Sequence, residues 1–575
     1  MLYSIRPIVV GAALAASCMI TVPASAQIEI DVGAYLAGRN AISNSDFLAA
    51  AAYYTQALGR DTGNPQLMEN AVLAHLALGR LERGVAIARV MEAHGLRNQA
   101  AHMILTAHLI KDSDYQTLLG QDPQTKRIGP LADGLLRAWA HFGTGSVQQG
   151  LAMFDEVAEQ NSLRSFAMLH KAMALAMVGD FEAAEAIYAE PQSGPAMMTR
   201  RGVVARAEIL SQLGQNDEAL GLLADAFGSV FDPGLTVVAD RLATGEQLPF
   251  SHIRSVQDGM SEVFFTIGAA LNGEAADDYA LLYARVAEYL RPDHIDAVLL
   301  VANLLEGLGQ FDLAVAAYKK IPPESPDFSA AELGRAEVLR RDGKPAAAIE
   351  VLEQLARDNP RLPAVYSALG NIHRQQKNYE KAISAYDAAL DYTEAGDRAE
   401  WFLYYARGIS HERLDNWDAA EADFRAALVL NPDQPQVLNY LGYSLVEKQI
   451  KMPEALDMIE RAVAARPDSG YIVDSLGWVL YRLGRFQEAV AHMEKAVALM
   501  PVDPVVNDHL GDVYWAVGRY REAEFQWKRA LSFINPEDTS GEVDPDRIRR
   551  KLDVGLDQVL AEEGAPPLSF VNDDS

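Results

Sequence analysis

The chain runs to 575 residues but has one cysteine, Cys18, which lies in an N-terminal stretch that reads as a removable leader. The mature chain would hold no thiol, so no disulfide framework and no cysteine metal site can organise it. Basic charge is also scarce: 50 Lys and Arg stand against 79 Asp and Glu, a formal net charge of −29. That balance is the reverse of a nucleic-acid binder's basic footprint, and anionic lipid surfaces would repel it. The acidic excess reads as a solvated shell that keeps a long chain soluble. Beyond the leader no apolar run is long and unbroken enough to span a bilayer. Catalytic signatures are missing too. There is no GxSxG, GxxxxGK[ST], HExxH or GxGxxG, which removes the sequence signal for a hydrolase elbow, a P-loop, a zincin and a dinucleotide fold. No cofactor and no metal are expected.

What is present is repetition. The stretch from Gly470 to Pro536 reads GYIVDSLGWVLYRLGRFQEAVAHMEKAVALMP and then PVVNDHLGDVYWAVGRYREAEFQWKRALSFINP, with Gly477 falling on Gly511 at a period of 34 residues. Val473, Leu476 and Leu480 form an i, i+3, i+7 stripe on a first helix. Gly477 lies beside Leu476 on the packing face, where it lets two backbones approach. On the second helix Ala489 and Ala496 are the small partners and Met493 fills the space between them. Gly484 ends the first helix and Pro501 stops the second. The alanine that opens each second helix recurs at Ala280, Ala314, Ala348, Ala382, Ala420, Ala455, Ala489 and Ala523, with spacings of 34, 34, 34, 38, 35, 34 and 34. The extra residues fall in loops, 391–400 among them. A unit of this length cannot bury its apolar face alone, so the pattern predicts an all-α, right-handed solenoid of stacked helix-turn-helix hairpins.

Taken in order, the chain divides as follows. Residues 1–26 read as a signal peptide: Arg6, an apolar run from Pro7 to Ile20, and Ala24-Ser25-Ala26 before Gln27. An alternative makes Cys18, after Ala15-Ala16-Ser17, a lipidated first residue. Residues 31–227 carry degenerate repeats with markers such as Gly38, Tyr54, Met68, Phe154, Tyr188 and Leu223. The register fails over 228–260, where Pro233, Gly234, Gly245 and Pro249 suggest an irregular joint between two array segments, either a recognition loop or a decayed repeat. A regular array spans 261–536. An amphipathic helix at 544–561, with Ile548, Leu552 and Leu556 on one face, would cap the array, and 562–575 read as a disordered tail.

First-helix residues at four-then-three spacing beside the packing stripe should line the concave face. They are Asn371 and Arg374; Tyr405 and Glu412; Asn439 and Tyr443; Asp474, Trp478 and Tyr481; Asp508, Asp512 and Trp515. Aromatic rings and amides suit an extended peptide or a partner's helix. A second reading has Trp478 and Trp515 simply packing neighbouring first helices together. Asp508, His509 and Asp512 also form the one cluster in which metal or acid/base chemistry is conceivable. An enzyme of unrecognised type built on this face, or on 228–260, is therefore the alternative to a binding protein. Self-association is left open.

The eight-position signature of these units, big, big, small, big, small, big, small, proline, resembles the tetratricopeptide repeat. The cassette LGYSLVE, DSLGWVLYRLG, NDHLGDVYWAVGR and FQWKRAL is similar to the C-terminal array of exported bacterial members. That resemblance implies a non-enzymatic scaffold or adaptor of the cell envelope, periplasmic or associated with the outer membrane, which binds protein or peptide in its groove. Some members of this wider group bring substrates to periplasmic processing proteases, and others are scaffolds for envelope or exopolysaccharide machinery, so a lipid-anchored scaffold is a further alternative. The family's clamp for a C-terminal carboxylate needs basic residues on the inner face, where this chain offers Arg374 alone.

Overall fold

In many of the hairpins a glycine on the first helix faces a bulky side chain on the second, and that pairing sets how closely the hairpin shuts. The computed structural model describes residues 31–122, 127–190, 194–228, 231–393, 400–534 and 543–568. The leader 1–26 with Cys18, most of the acidic joint at 391–400 and residues 569–575 lie outside the described residues; of the tail expected at 562–575, residues 562–568 are described, with Leu568 packed against the core. A methyl group at Gly370 would fall 2.6 Å from Tyr386, and one at Gly408 2.8 Å from Phe424. Met493 and Trp527 fill the same place against Gly477 and Gly511. The first helices end on a left-handed residue, as at Gly484 (φ +75°), where the Arg485 N–H donates to the Leu480 carbonyl at 2.9 Å. Prolines at 345, 363, 435 and 504 open helices at their first turn, where no N–H is required. Among the described residues the chain forms helices and no β-strand: it is an all-α solenoid.

The chain divides into two units between Val338 and Leu339, not at the joint expected over 228–260. In the C-terminal unit the first helices Pro363–Gln375, Glu400–Glu412, Pro435–Glu447, Gly470–Arg482 and Pro504–Ala516 each pack on the second helix that follows. The later hairpins share a core that holds Leu441, Ile459, Val473, Met493, Leu510 and Trp527, while Tyr386, Ala389, Leu403 and Ala406 form a smaller one before it.

The N-terminal unit departs from a plain stack. Its helices Pro65–Ala77, Gln99–Lys111, Pro130–Gly143 and Arg164–Met177 are first helices of hairpins, and the side they present inward is filled by the unit's own chain. The pair Val256–Leu271 and Asp277–Leu290, here called the central pair, packs against all four. Every residue from Ala280 to Glu288 is buried, which is the signature of a helix enclosed on all sides. The period predicts this hairpin through Ala280, but as one more stacked repeat.

Over 228–260 the expected irregular joint is largely ordered structure. Asp232 caps a helix at Pro233–Ala243, and the helix ends just before Gly245 (φ +80°), so the residues that disrupt the repeat sit at its two ends. Leu235, Ala239 and Leu242 join Val203, Leu210 and Leu223 in a small core. The chain then runs along Arg200–Gln212, with Leu248 N–H donating to Ser211 Oγ at 2.8 Å and Ser251 N–H donating to Glu208 Oε2 at 2.8 Å.

Candidate partner-binding surface

Burying the central pair also buries its charges, and each is answered. Glu262 is fully buried and accepts two hydrogen bonds from Arg201, at 2.8 and 2.7 Å, while His294 Nε2 lies 3.1 Å away. Burial alone would raise the Glu262 pKa, but Arg201 and His294 hold it well below the carboxylate range. Arg285 donates to the carbonyl of Ala77 at 2.9 Å, at the last residue of Pro65–Ala77, and to Glu288 at 2.8 Å. Trp139 Nε1 donates to His170 Nδ1 at 3.3 Å, and His170 Nε2 lies 3.2 Å from Thr266 of the central pair. The central pair is thus tied to the inner face by directional bonds as well as by apolar contact.

His170 gives this seat a pH dependence. Burial lowers its pKa from 6.5 to about 4, so the unfolded chain takes up a proton before the folded one does. This contribution to stability is complete above pH 6.5 and is lost as pH falls toward 4. The melting temperature is expected to drop over that window, and to drop less in His170→Gln, whose amide does not titrate. Parallel slopes in the two proteins would refute the assignment.

On the C-terminal unit the inner face is built differently. Asn371 Oδ1 accepts from the Tyr386 hydroxyl at 2.8 Å, and Arg374 Nε donates to that hydroxyl oxygen at 3.3 Å, so both lean on their own second helix. Tyr405 is half-buried among Tyr440, Phe424 and Trp401, with ring centroids 5.9 to 6.3 Å apart. Glu412 accepts from the Tyr440 hydroxyl at 3.3 Å. Asn439 is buried, with no hydrogen-bond partner for its Oδ1. Tyr443 is half-buried.

Further along, the expected residues come together. Trp478 is stacked between His509, at 4.0 Å and 15°, and Tyr481, at 4.9 Å and 17°, and its Nε1 donates to Glu447 at 2.7 Å. It packs neighbouring first helices and is still half-buried, so the two readings of this ring are not exclusive. Asp474 lies 3.0 Å from His509 Nδ1. Burial disfavours a charged His509 ring, yet Asp474, with Asp508 and Asp512 nearby, outweighs it and raises the pKa. Burial pushes the Tyr481 phenol up.

Asp508, Asp512 and Trp515, expected to line an open groove, are instead covered. The segment predicted as one capping helix is two, Pro545–Val554 and Leu556–Glu562, broken at Gly555 (φ +85°). We call them the terminal strap. Lys551 is 1% exposed and donates to Asp508 at 2.9 Å and to Asp512 at 2.7 Å. Trp527 Nε1 donates to Asp512 Oδ1 at 2.9 Å, and Arg547 lies 3.7 Å from Asp512. Burial and the neighbouring Asp512 push the Asp508 pKa up. Trp515 Nε1 donates to Asp557 at 3.1 Å. Among the described residues no group of three or more His, Cys, Asp and Glu is arranged to hold a metal ion. The sequence reading missed Lys551 and Arg547, although their i, i+4 spacing beside Ile548 marks the face that they share.

Two family models described as tetratricopeptide repeat match the chain, one over residues 35–97, 135–196, 333–399 and 405–469 and the other over 473–501. The chain carries tetratricopeptide repeats. Neither model matches 197–332, the stretch that holds the helix Pro233–Ala243 and the central pair. Among relatives, the TPR repeat-containing protein PA4667 of Pseudomonas aeruginosa is 28% identical over 184 residues, 31% of this chain and 29% of that protein. The human protein O-mannosyl-transferase TMTC1 is 26% identical over 197 residues, 34% of this chain and 21% of its own length. The matched stretches thus span less than a third of either relative. Among solved structures, the APC/C hetero-tetramer Cut9-Hcn1 is 15% identical, with 91% of this chain and 96% of that chain covered and a TM-score of 0.38. No described helix is long and apolar enough to cross a membrane.

Proposed function

We propose that this protein is a non-enzymatic adaptor or scaffold of the bacterial cell envelope, and that it binds a protein or peptide partner on the inner face of its C-terminal unit. Tetratricopeptide repeats bind protein partners, and one observation favours this unit over the other. The inner side of the N-terminal hairpins is filled by the central pair, whereas Tyr405, Tyr443 and Trp478 of the C-terminal unit remain half-buried and partly open to a partner. Such rings supply contact area at low entropic cost. The envelope location rests on the leader-like pattern from Arg6 to Ala26. An acid/base role for Asp508 and Asp512 is disfavoured, because both carboxylates are engaged by Lys551.

The test is affinity capture from periplasmic and outer-membrane fractions with wild type and Trp478→Ala, the variant's helicity being checked by circular dichroism. A partner recovered by wild type and reduced about tenfold or more by the variant is the expected result. Equal recovery by both proteins would remove the inner face from the account, and repeated recovery of nothing would sink the scaffold reading. Fractionation of the tagged full chain checks the location separately.

A further inference from the structure

The terminal strap is seated on the last repeat through a buried ion pair, and not through an apolar seal alone. Lys551 reaches two carboxylates of the inner helix Pro504–Ala516, with Ile548 and Leu556 buried on either side of it. Removing a lysine and two carboxylates from water costs about as much as their attraction returns, so a contact of this kind selects its occupant more than it adds stability. The chain then continues through 565–568 past Trp478 and Tyr481 of the preceding repeat, and a cavity of about 370 Å³ remains between strap and inner face.

We propose that the terminal strap is a displaceable, in-cis occupant of the inner face, and that the partner taken there presents an amphipathic helix with two basic residues one turn apart. The strap itself shows the chemistry, with Arg547 and Lys551 at i, i+4 and Ile548 between them. The face it covers is complementary: Asp508 and Asp512 lie under the strap, with Glu447 and Asp474 on the two preceding first helices. The strap's tether keeps it at a high effective concentration, so a competing helix binds only in proportion to the open fraction. A strap closed about 99% of the time weakens a competitor about a hundredfold. This inference rests on the scaffold reading, but its test uses no natural partner, so the two can fail independently.

The experiment uses the full chain, wild type and Lys551→Ala, with a labelled peptide of residues 543–568 as probe and its Lys551→Gln form as control. Lys551→Ala is expected to speed hydrogen exchange in the strap and to bind the probe at least about tenfold more tightly than wild type does, and the control probe is expected to lose at least about tenfold. If Lys551→Ala disturbs the last repeat, as read by circular dichroism, Asp557→Ala replaces it. That exposed change removes only the bond from Trp515, and a smaller gain in the same direction is expected. Lower melting without faster strap exchange and without a gain in probe binding would make the strap a plain cap and overturn the proposal. Equal binding of the two probes would overturn the charge-based recognition. A doubled mass of wild type in solution would assign the site to straps exchanged with a second copy, and would overturn the partner reading.

Discussion

Glu262→Leu is expected to cost about 3–5 kcal/mol, because it strands Arg201 in the interior without its bidentate partner. Asp296, which also accepts from Arg201, offsets only part of this loss. The double variant Arg201→Met with Glu262→Leu should recover some of it, since removing both charges leaves neither one unpaired. Denaturant unfolding read alongside hydrogen exchange over 256–290 checks the point, the exchange being needed because two units need not melt as one. A single-variant loss below about 1 kcal/mol would show that the pair does not secure the central helices. The pH dependence has a definite sign. The folded Glu262 pKa lies well below 4.5, so its contribution is present above that value and fades as pH falls through the folded pKa. His294 acts in the same direction: burial and then Arg201 lower its pKa from 6.5, so its neutral form supports the fold above that pH.

Gly259→Leu is the second large effect. A methyl group there would already fall 2.6 Å from the Trp139 ring, which is held by Phe142, Phe154 and His170 and cannot swing away. Overpacking of this kind costs about 1–3 kcal/mol or more. Gly477→Leu meets Met493 instead, an unbranched side chain that can rotate, so its cost should be smaller. Hydrogen exchange separates the two, with faster exchange at 256–290 in the first variant and at 470–499 in the second. If Gly259→Leu leaves 256–290 as protected as in wild type, the central pair is not clamped at Trp139.

The hairpins were legible because their chemistry is local. Gly477 against Met493 and Gly484 as a left-handed cap follow from spacing inside one unit, and the structure shows both. The same reasoning grouped Asp474, Trp478 and Tyr481 on one helix, and the structure adds His509 of the next first helix, stacked on Trp478 and bonded to Asp474. It treated 228–260 as irregular because Pro233 and Gly245 break a helix when they fall in its interior, and here they stand at its ends.

Amino-acid order alone determined the repeat, its period and the stripe that closes each hairpin, because these contacts join residues within about 34 positions and repeat with the same residue types. Tertiary structure alone decided what fills each inner face. Arg285 meets the carbonyl of Ala77 across 208 positions, and Lys551 meets Asp512 across 39 positions that include a non-repeating stretch. Contacts like these leave no period to read. They depend on how many hairpins stack before the chain turns back, and that is set by the sum of small rotations between neighbouring repeats.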